Sequence, residues 1–264
     1  MPSANLLTPE SRFIAMFIGP KHSGKTVAAL SFPGPSHDYD FDGRIRGILG
    51  APWIDKSKIS YDFFPPRETG LIDKIDKSLE AYITASKIGQ PIPNTIVLDS
   101  LTSECLAIIQ QSLPLTHSAG KGKKVGTVNM VGPEDYGVEA NVTYQIMAGL
   151  RSLPVPNIIV TAHVIDRFGK ANPEDPFSES IVVGEKLSVR DKIGENVKIY
   201  FDHIFRFDRK MVNGSEHFFV KFRSDIACTS YSELPHGEID ITGKSFYEVL
   251  MGYVKKPEIL SNGS

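Results

Sequence analysis

Eight consecutive residues constrain this chain more than any others. Gly19-Pro20-Lys21-His22-Ser23-Gly24-Lys25-Thr26 fit the spacing G-x-x-x-x-G-K-[ST] at every fixed position. They follow an apolar run, Phe13 to Ile18, that reads as a buried strand, and they open a helix expected from Lys25 to about Phe32, ahead of Pro33-Gly34. Chance alone would supply the pattern in about 1% of chains this long. Its glycines let the backbone curl so that successive N–H groups face phosphate oxygens, and a helix N-terminus adds partial positive charge. Lys25 is then placed to reach the β and γ phosphates and the Thr26 hydroxyl to ligate Mg²⁺. Gly19 through Val27 are therefore the expected nucleotide-binding residues, with ATP and Mg²⁺ as the expected ligands.

A metal held by one hydroxyl needs an acid on its far side. Asp99 closes the apolar strand Thr95-Ile96-Val97-Leu98, which puts its carboxylate at the C-terminal edge of a sheet, beside such a loop. An acid here can also cap the helix expected from Leu101 to Leu113. With a complete phosphate loop upstream, metal binding by Thr26 and Asp99 is the stronger reading.

The rest of the chain supports an α/β architecture. It has 264 residues, 41% of them hydrophobic, which excludes dominant disorder, and 29 basic against 31 acidic residues, which excludes a molecule-wide attraction for polyanions. Apolar residues from Arg67 to Ser86 recur at helical spacing, as do those near Glu134 to Leu150. Short strands are expected at His37 to Asp42 and Asn157 to Ala162, so strands and helices alternate as in a mainly parallel sheet. Val212-Asn213-Gly214-Ser215 between two β-rich runs predicts an antiparallel hairpin. Thr242 is the expected cap of a last helix bearing Phe246, Val249, Leu250 and Tyr253. One domain over residues 1–255 and a tail over 256–264 are expected. Cys105 and Cys228 read as buried reduced thiols, and with no leader or span in the sequence the expected location is the cytoplasm.

These segments together resemble the RecA-like ATPase core, and within it the minimal, phage-encoded ATPases of single-strand annealing recombination. The resemblance runs from about Arg12 to Arg223 and is carried by the phosphate loop, by Asp40-Phe41-Asp42-Gly43-Arg44, by Thr95 to Thr102 with Asp99 followed by Ser100, and by Thr161-Ala162-His163. It implies that an acid ending the second strand orients the attacking water, Asp42 first and Asp40 second, with Lys25 as the catalytic cation. It implies that His163 occupies the place of a γ-phosphate sensor, where that group commonly has Gln. It implies that Lys221 and Arg223 reach a neighbouring subunit's ATP, in a ring or filament of identical chains. A solvated strand face and a strand-end histidine are the plainer readings of these residues.

The resemblance also locates DNA. From Leu113 to Gly132 the sequence has poor periodicity, and Lys121, Lys123 and Lys124 lie among glycines with no acid between Cys105 and Pro133. Such a loop suits sequence-independent contact with single-stranded DNA, and equally a solvated connection. A second candidate, from Val164 to Lys198, carries Arg167 and Lys170, and its Phe168 and Phe177 could stack on bases, although buried loop anchors are the first expectation for single aromatics. A single-strand-binding protein is a further expected partner. A P-loop small-molecule kinase and a nucleotide switch without turnover are the competing functions, although Arg44, Arg46 and Arg67 are too dispersed for a kinase lid.

Overall fold

Seven consecutive buried residues form β1 (Phe13–Gly19). Ile14, Met16 and Ile18 face one core and Phe13, Ala15 and Phe17 the other, so the strand must lie between two layers. The structure, a computed structural model, describes residues 12–65, 69–118, 123–125, 128–172, 174 and 177–254. After β1 come α1 (Lys25–Ala29), β2 (Ser36–Asp40), β3 (Ile59–Phe63), α2 (Leu71–Lys87), β4 (Thr95–Asp99) and α3 (Leu101–Ser118). Then follow β5 (Lys123–Val125), β6 (Val128–Met130), α4 (Pro133–Ser152), β7 (Asn157–Lys170), β8 (Ser180–Leu187) and α5 (Asp191–Asn196). The chain ends with β9 (His203–Val212), β10 (Ser215–Lys221), β11 (Cys228–Thr229), β12 (Glu238–Asp240) and α6 (Phe246–Val254).

The main sheet runs β12-β10-β9-β1-β7-β4-β2-β3. Every pairing from β9 to β3 along that path is parallel, and β10 and β12 extend it antiparallel. The expected fold class, a mainly parallel sheet flanked by helices with a C-terminal antiparallel hairpin, is the one observed. β1 sits between β7 and β9, one strand from β4, so the loop after Gly19 and the end of β4 open on the same sheet edge. Leu71, Ile75 and Leu79 of α2 pack on one face with Ile108 of α3 and Leu150 of α4. On the other, α6 sends Phe246 edge-on to Phe17, with ring centres 5.3 Å apart.

Several expectations change. α1 stops at Ala29 rather than Phe32, because Ser31 and Phe32 return their N–H groups to Ala28 and Ala29 in tighter turns before Pro33. β3, in the irregular region between Pro52 and Pro65, has no counterpart among the expected strands and pairs along β2 as an edge strand. α3 continues through Pro114 to Ser118, and the segment expected to be structureless contains the β5–β6 hairpin. β7 runs eight residues beyond Ala162 and folds back with β8, so the second expected loop is a long hairpin. Thr242 does not cap α6: its Oγ1 accepts from the Phe218 N–H at 2.8 Å, and Ser245 accepts from Glu248 N–H instead. Cys105 is buried as expected, but Cys228 is exposed, since it lies on the short outer strand β11. The Asn213-Gly214 turn holds as expected, with φ of 51° and 82°. Among the described residues no helix is long and apolar enough to cross a membrane. Arg67 and residues 256–264 lie outside the described residues.

Candidate nucleotide site

The loop after β1 is shaped by positions where a side chain has no room. Gly19 has φ +156°, and a Cβ there would lie 2.3 Å from the Phe207 carbonyl oxygen. Gly24 has φ +85°, and its Cβ would press on the Phe218 ring at 3.2 Å. Between them His22 adopts a left-handed φ of 64°, costly for a non-glycine residue. Lys25 Nζ donates to the carbonyls of Gly19 and Pro20 at 3.0 and 2.8 Å, and Ser23 Oγ donates to Pro20 O at 2.9 Å. Burial pushes the Lys25 ammonium down to about 8, opposed by Asp99 and Asp42 and reinforced by Arg206 and Arg44. A phosphate would replace two carbonyl dipoles with full charge at this cation. Because α1 has only five residues, an anion bound here would depend more on the loop's own N–H groups than on a helix terminus.

Thr26 follows on the first turn of α1, and its hydroxyl donates to Asp99 Oδ2 at 2.6 Å. Thr161 on β7 donates to the other Asp99 oxygen. Asp99 is fully buried, which raises its pKa, while the hydroxyls of Thr161 and Thr26 oppose the rise. One hydroxyl and one carboxylate on a shared sheet edge form the hard oxygen donor set that suits Mg²⁺. Among the described residues no cluster of three His, Cys, Asp or Glu side chains is arranged to hold a metal.

Asp42 lies two residues beyond β2. Phe41 and Asp42 both donate their N–H to the Asp99 carbonyl, at 2.6 and 3.2 Å, which pins the Asp42 carboxylate at the tip of β4. It accepts from Ser100 Oγ at 3.2 Å and from Ser103 Oγ, and its Oδ2 is 3.1 Å from His163 Nε2. Burial pushes the carboxyl up, but the hydrogen bonds from His163 and Ser103 outweigh it and bring it down to about 2. His163 Nδ1 lies 3.4 Å from Lys25 Nζ. An ammonium only donates, so Nδ1 accepts and Nε2 carries the proton offered to Asp42. Asp40, the second candidate base, is turned away: its carboxylate accepts the N–H groups of Gly43, Arg44 and Ile45 and closes the turn after β2.

Lys25, Thr26, Asp42, Asp99 and His163 line one cleft of about 310 Å³, with His22, Ser23, Gly24 and Val27 of the loop. Sequence reasoning missed five more lining residues, Arg44, Gly47, Arg209, Glu216 and Phe218. Arg44 follows the Asp-Gly turn and was weighed only as part of a lid. Arg209 and Phe218 come from β9 and β10, and Arg209 is held by Glu216 at 3.1 Å. No local pattern marks these two; only the parallel placement of β9 beside β1 brings them to the loop.

The other expected residues lie elsewhere. Lys221 ends β10 with Nζ 3.9 Å from Glu238, and Arg223 donates to the Tyr231 carbonyl at 2.9 Å and lies 3.2 Å from His236 Nε2. Neither lines the cleft of its own chain. Lys121 lies outside the described residues; Lys123 and Lys124 are on β5, with Lys124 exposed. Arg167 and Lys170 are exposed on the outer part of β7. Phe168 and Phe177 are not buried anchors: they are 65% and 94% exposed, because the hairpin extends past the core.

Comparison with known proteins gives limited similarity. No family model matches the chain, and no curated protein matches it. Among solved structures it is similar to the flagellar accessory protein FlaH from Methanocaldococcus jannaschii, with 12% identity, a TM-score of 0.44, and 88% of this chain and 85% of that chain covered. It is also similar to the KaiC-like protein PH0186 from Pyrococcus horikoshii OT3, with 15% identity, a TM-score of 0.43, and coverage of 88% and 90%.

Proposed function

We propose that the protein is a RecA-like P-loop ATPase that acts on single-stranded DNA in recombination or annealing, assembled as a ring or filament. One observation carries the ATPase reading: a buried lysine, a hydroxyl–carboxylate pair and an ionised carboxylate bonded to histidine converge from four strands on a single cleft. In this reading the loop N–H groups and Lys25 bind the triphosphate, and Thr26 and Asp99 hold Mg²⁺, which supplies charge neutralisation at the phosphates. Asp42, ionised at neutral pH, aligns a water for in-line attack and accepts its proton. His163 orients Asp42 and touches Lys25, so it is placed to register the state of the phosphates.

The DNA reading is supported by the two hairpins at the positions of the expected loops. The β5–β6 hairpin contributes Lys123 and Lys124, with Lys121 before it, and the β7–β8 hairpin presents Arg167, Lys170, Phe168 and Phe177. Cations beside exposed aromatic rings are the elements of a sequence-tolerant single-strand site. Assembly would give Lys221 and Arg223 a neighbour's nucleotide to reach, and a single-strand-binding protein would be a partner on the same DNA.

The test is phosphate release with and without single-stranded DNA at low salt, using Lys25→Ala as the blank. DNA should stimulate turnover, and replacing Lys121, Lys123 and Lys124 together by Ala should abolish the stimulation. Turnover indifferent to DNA would remove the DNA reading alone. Nucleotide binding without turnover under either condition would identify a switch.

A further inference from the structure

The segment Asp40-Phe41-Asp42-Gly43-Arg44 supplies more than a candidate base. Gly43 takes a φ of +66°, and a Cβ there would meet the Phe63 ring at 3.1 Å. The Asp40 carboxylate accepts the N–H groups of Gly43, Arg44 and Ile45, so the turn is anchored from β2. On its other side Arg44 heads a short 3₁₀ turn, Ile45–Gly50, whose Ile48 is buried in the core. Arg44 lines the same cleft as Lys25, Thr26, Asp42 and Asp99.

The lysine and arginines of the cleft differ in what already engages them. Lys25 donates to two loop carbonyls, and Arg209 is held by Glu216. The half-buried Arg44 has no side-chain hydrogen bond or ion pair among the described residues. Asp42 does not claim it, because both carboxylate oxygens are taken, one by Ser100 and Ser103 and the other by His163. Its charge is nonetheless felt at both Lys25 and Asp42, where burial is the leading influence and Arg44 lowers each group. A planar fork of donors without an acceptor, beside a phosphate loop, is complementary to the oxygens of a phosphoryl group.

We infer that Arg44 is a catalytic residue acting in cis, its guanidinium donating to the γ-phosphoryl oxygens during hydrolysis, with Asp40 as the positioning residue that holds its turn. The inference rests on the ATPase reading of the cleft. As the water oxygen bonds to the γ-phosphorus, the water gives its proton to Asp42, the bond from phosphorus to the bridging oxygen breaks, and the electron pair leaves with ADP. The charge on the transferring group meets a cation already in place, so little reorganisation is needed at that moment. Each chain then holds a complete site for basal turnover, before any contribution from Lys221 or Arg223 of a neighbour.

Single-turnover phosphate release and equilibrium MgATP binding are measured on the full chain, with thermal melting as the control for folding. Arg44→Ala should slow release by about 10²- to 10³-fold with ATP affinity little changed, and guanidinium chloride at millimolar concentration should restore part of the rate. Asp40→Ala should slow release in the same sense. Arg46→Ala removes one charge from the same turn at an exposed position outside the cleft, and should leave the rate as it is. An equal mixture of Arg44→Ala and Asp42→Asn chains should stay as slow as either alone, since neither chain has a complete site; recovery on mixing would overturn the assignment in cis. A rate in Arg44→Ala within about twofold of the unaltered chain, or rate and ATP affinity falling together, would overturn the catalytic role and leave the ATPase reading standing. Arg44→Gln, which keeps most of the stem, decides the same question if the alanine variant does not fold. Absence of turnover from the unaltered chain would remove the ATPase reading itself.

Discussion

The hydroxyl of Thr26 and the carboxylate of Asp99, 73 positions apart in the chain, meet at 2.6 Å. The contact joins the phosphate loop to the tip of β4 and defines where a divalent cation would sit. Thr26→Ala and Asp99→Asn should each raise the Mg²⁺ concentration needed for half-maximal turnover by about 10- to 100-fold. A magnesium titration at saturating ATP measures this, with thermal melting as the control for folding. Unchanged midpoints in both variants would exclude the pair as metal ligands.

Lys25 makes nucleotide affinity depend on pH. Burial lowers its pKa to about 8 from 10.5, so above pH 8 the free protein holds a neutral amine. Binding a triphosphate restores the ammonium and therefore takes up a proton. ATP affinity should fall by up to about tenfold per pH unit from roughly pH 8 upward, levelling toward pH 10. Calorimetry in two buffers of different ionisation enthalpy at pH 8.5 should show proton uptake, and equal heats would refute the linkage.

Asp42 and His163 should separate chemistry from binding. Asp42→Asn should lower turnover by about 10²- to 10³-fold with little change in ATP affinity. His163→Ala should cost less, since it removes one of the three side chains that bond Asp42. Asp42 titrates near 2, so between pH 5 and 8 the rate should show no acid limb from this group. Single-turnover phosphate release across that range is the measurement.

Glu104 on α3 should set the stability profile. Its side chain is fully buried, Oε1 has no partner among the described residues, and burial raises its pKa to about 8 from 4.5. The folded state keeps the proton up to about pH 8, whereas the unfolded chain releases it above 4.5. Stability is therefore lost as pH rises from 4.5 through 8, by roughly 4 to 5 kcal/mol. Glu104→Gln keeps the shape without the charge and should flatten the fall in Tm between pH 5 and 8. A parallel fall in the two proteins would show that Glu104 is not responsible.

What the sequence made legible is what short-range pattern encodes. Gly19 to Thr26 could be read directly because a phosphate loop needs its glycines and lysine at fixed spacing, and Asp99 because an apolar strand ending in an acid is a local signal. Asp42 became readable only through resemblance, and its separation from Asp40 depends on a turn in which three N–H groups capture the earlier carboxylate. Arg209 and Phe218 gave no signal, since their relation to the loop is created by strand order. The outer half of β7 was read as loop because both its faces are solvated and the apolar alternation that marks a core strand is absent there.

β7 is one continuous strand with two jobs along its length. Its inner half is clamped between β1 and β4, while its outer half pairs antiparallel with β8. His163 stands at the fulcrum, and Lys170 lies seven residues farther out, about 23 Å along an extended chain. A tilt of a few degrees at the histidine, too small to disturb the packing around it, would sweep the far end through more than an ångström. One unbroken strand therefore joins the histidine that bonds Asp42 to the exposed turn of the β7–β8 hairpin.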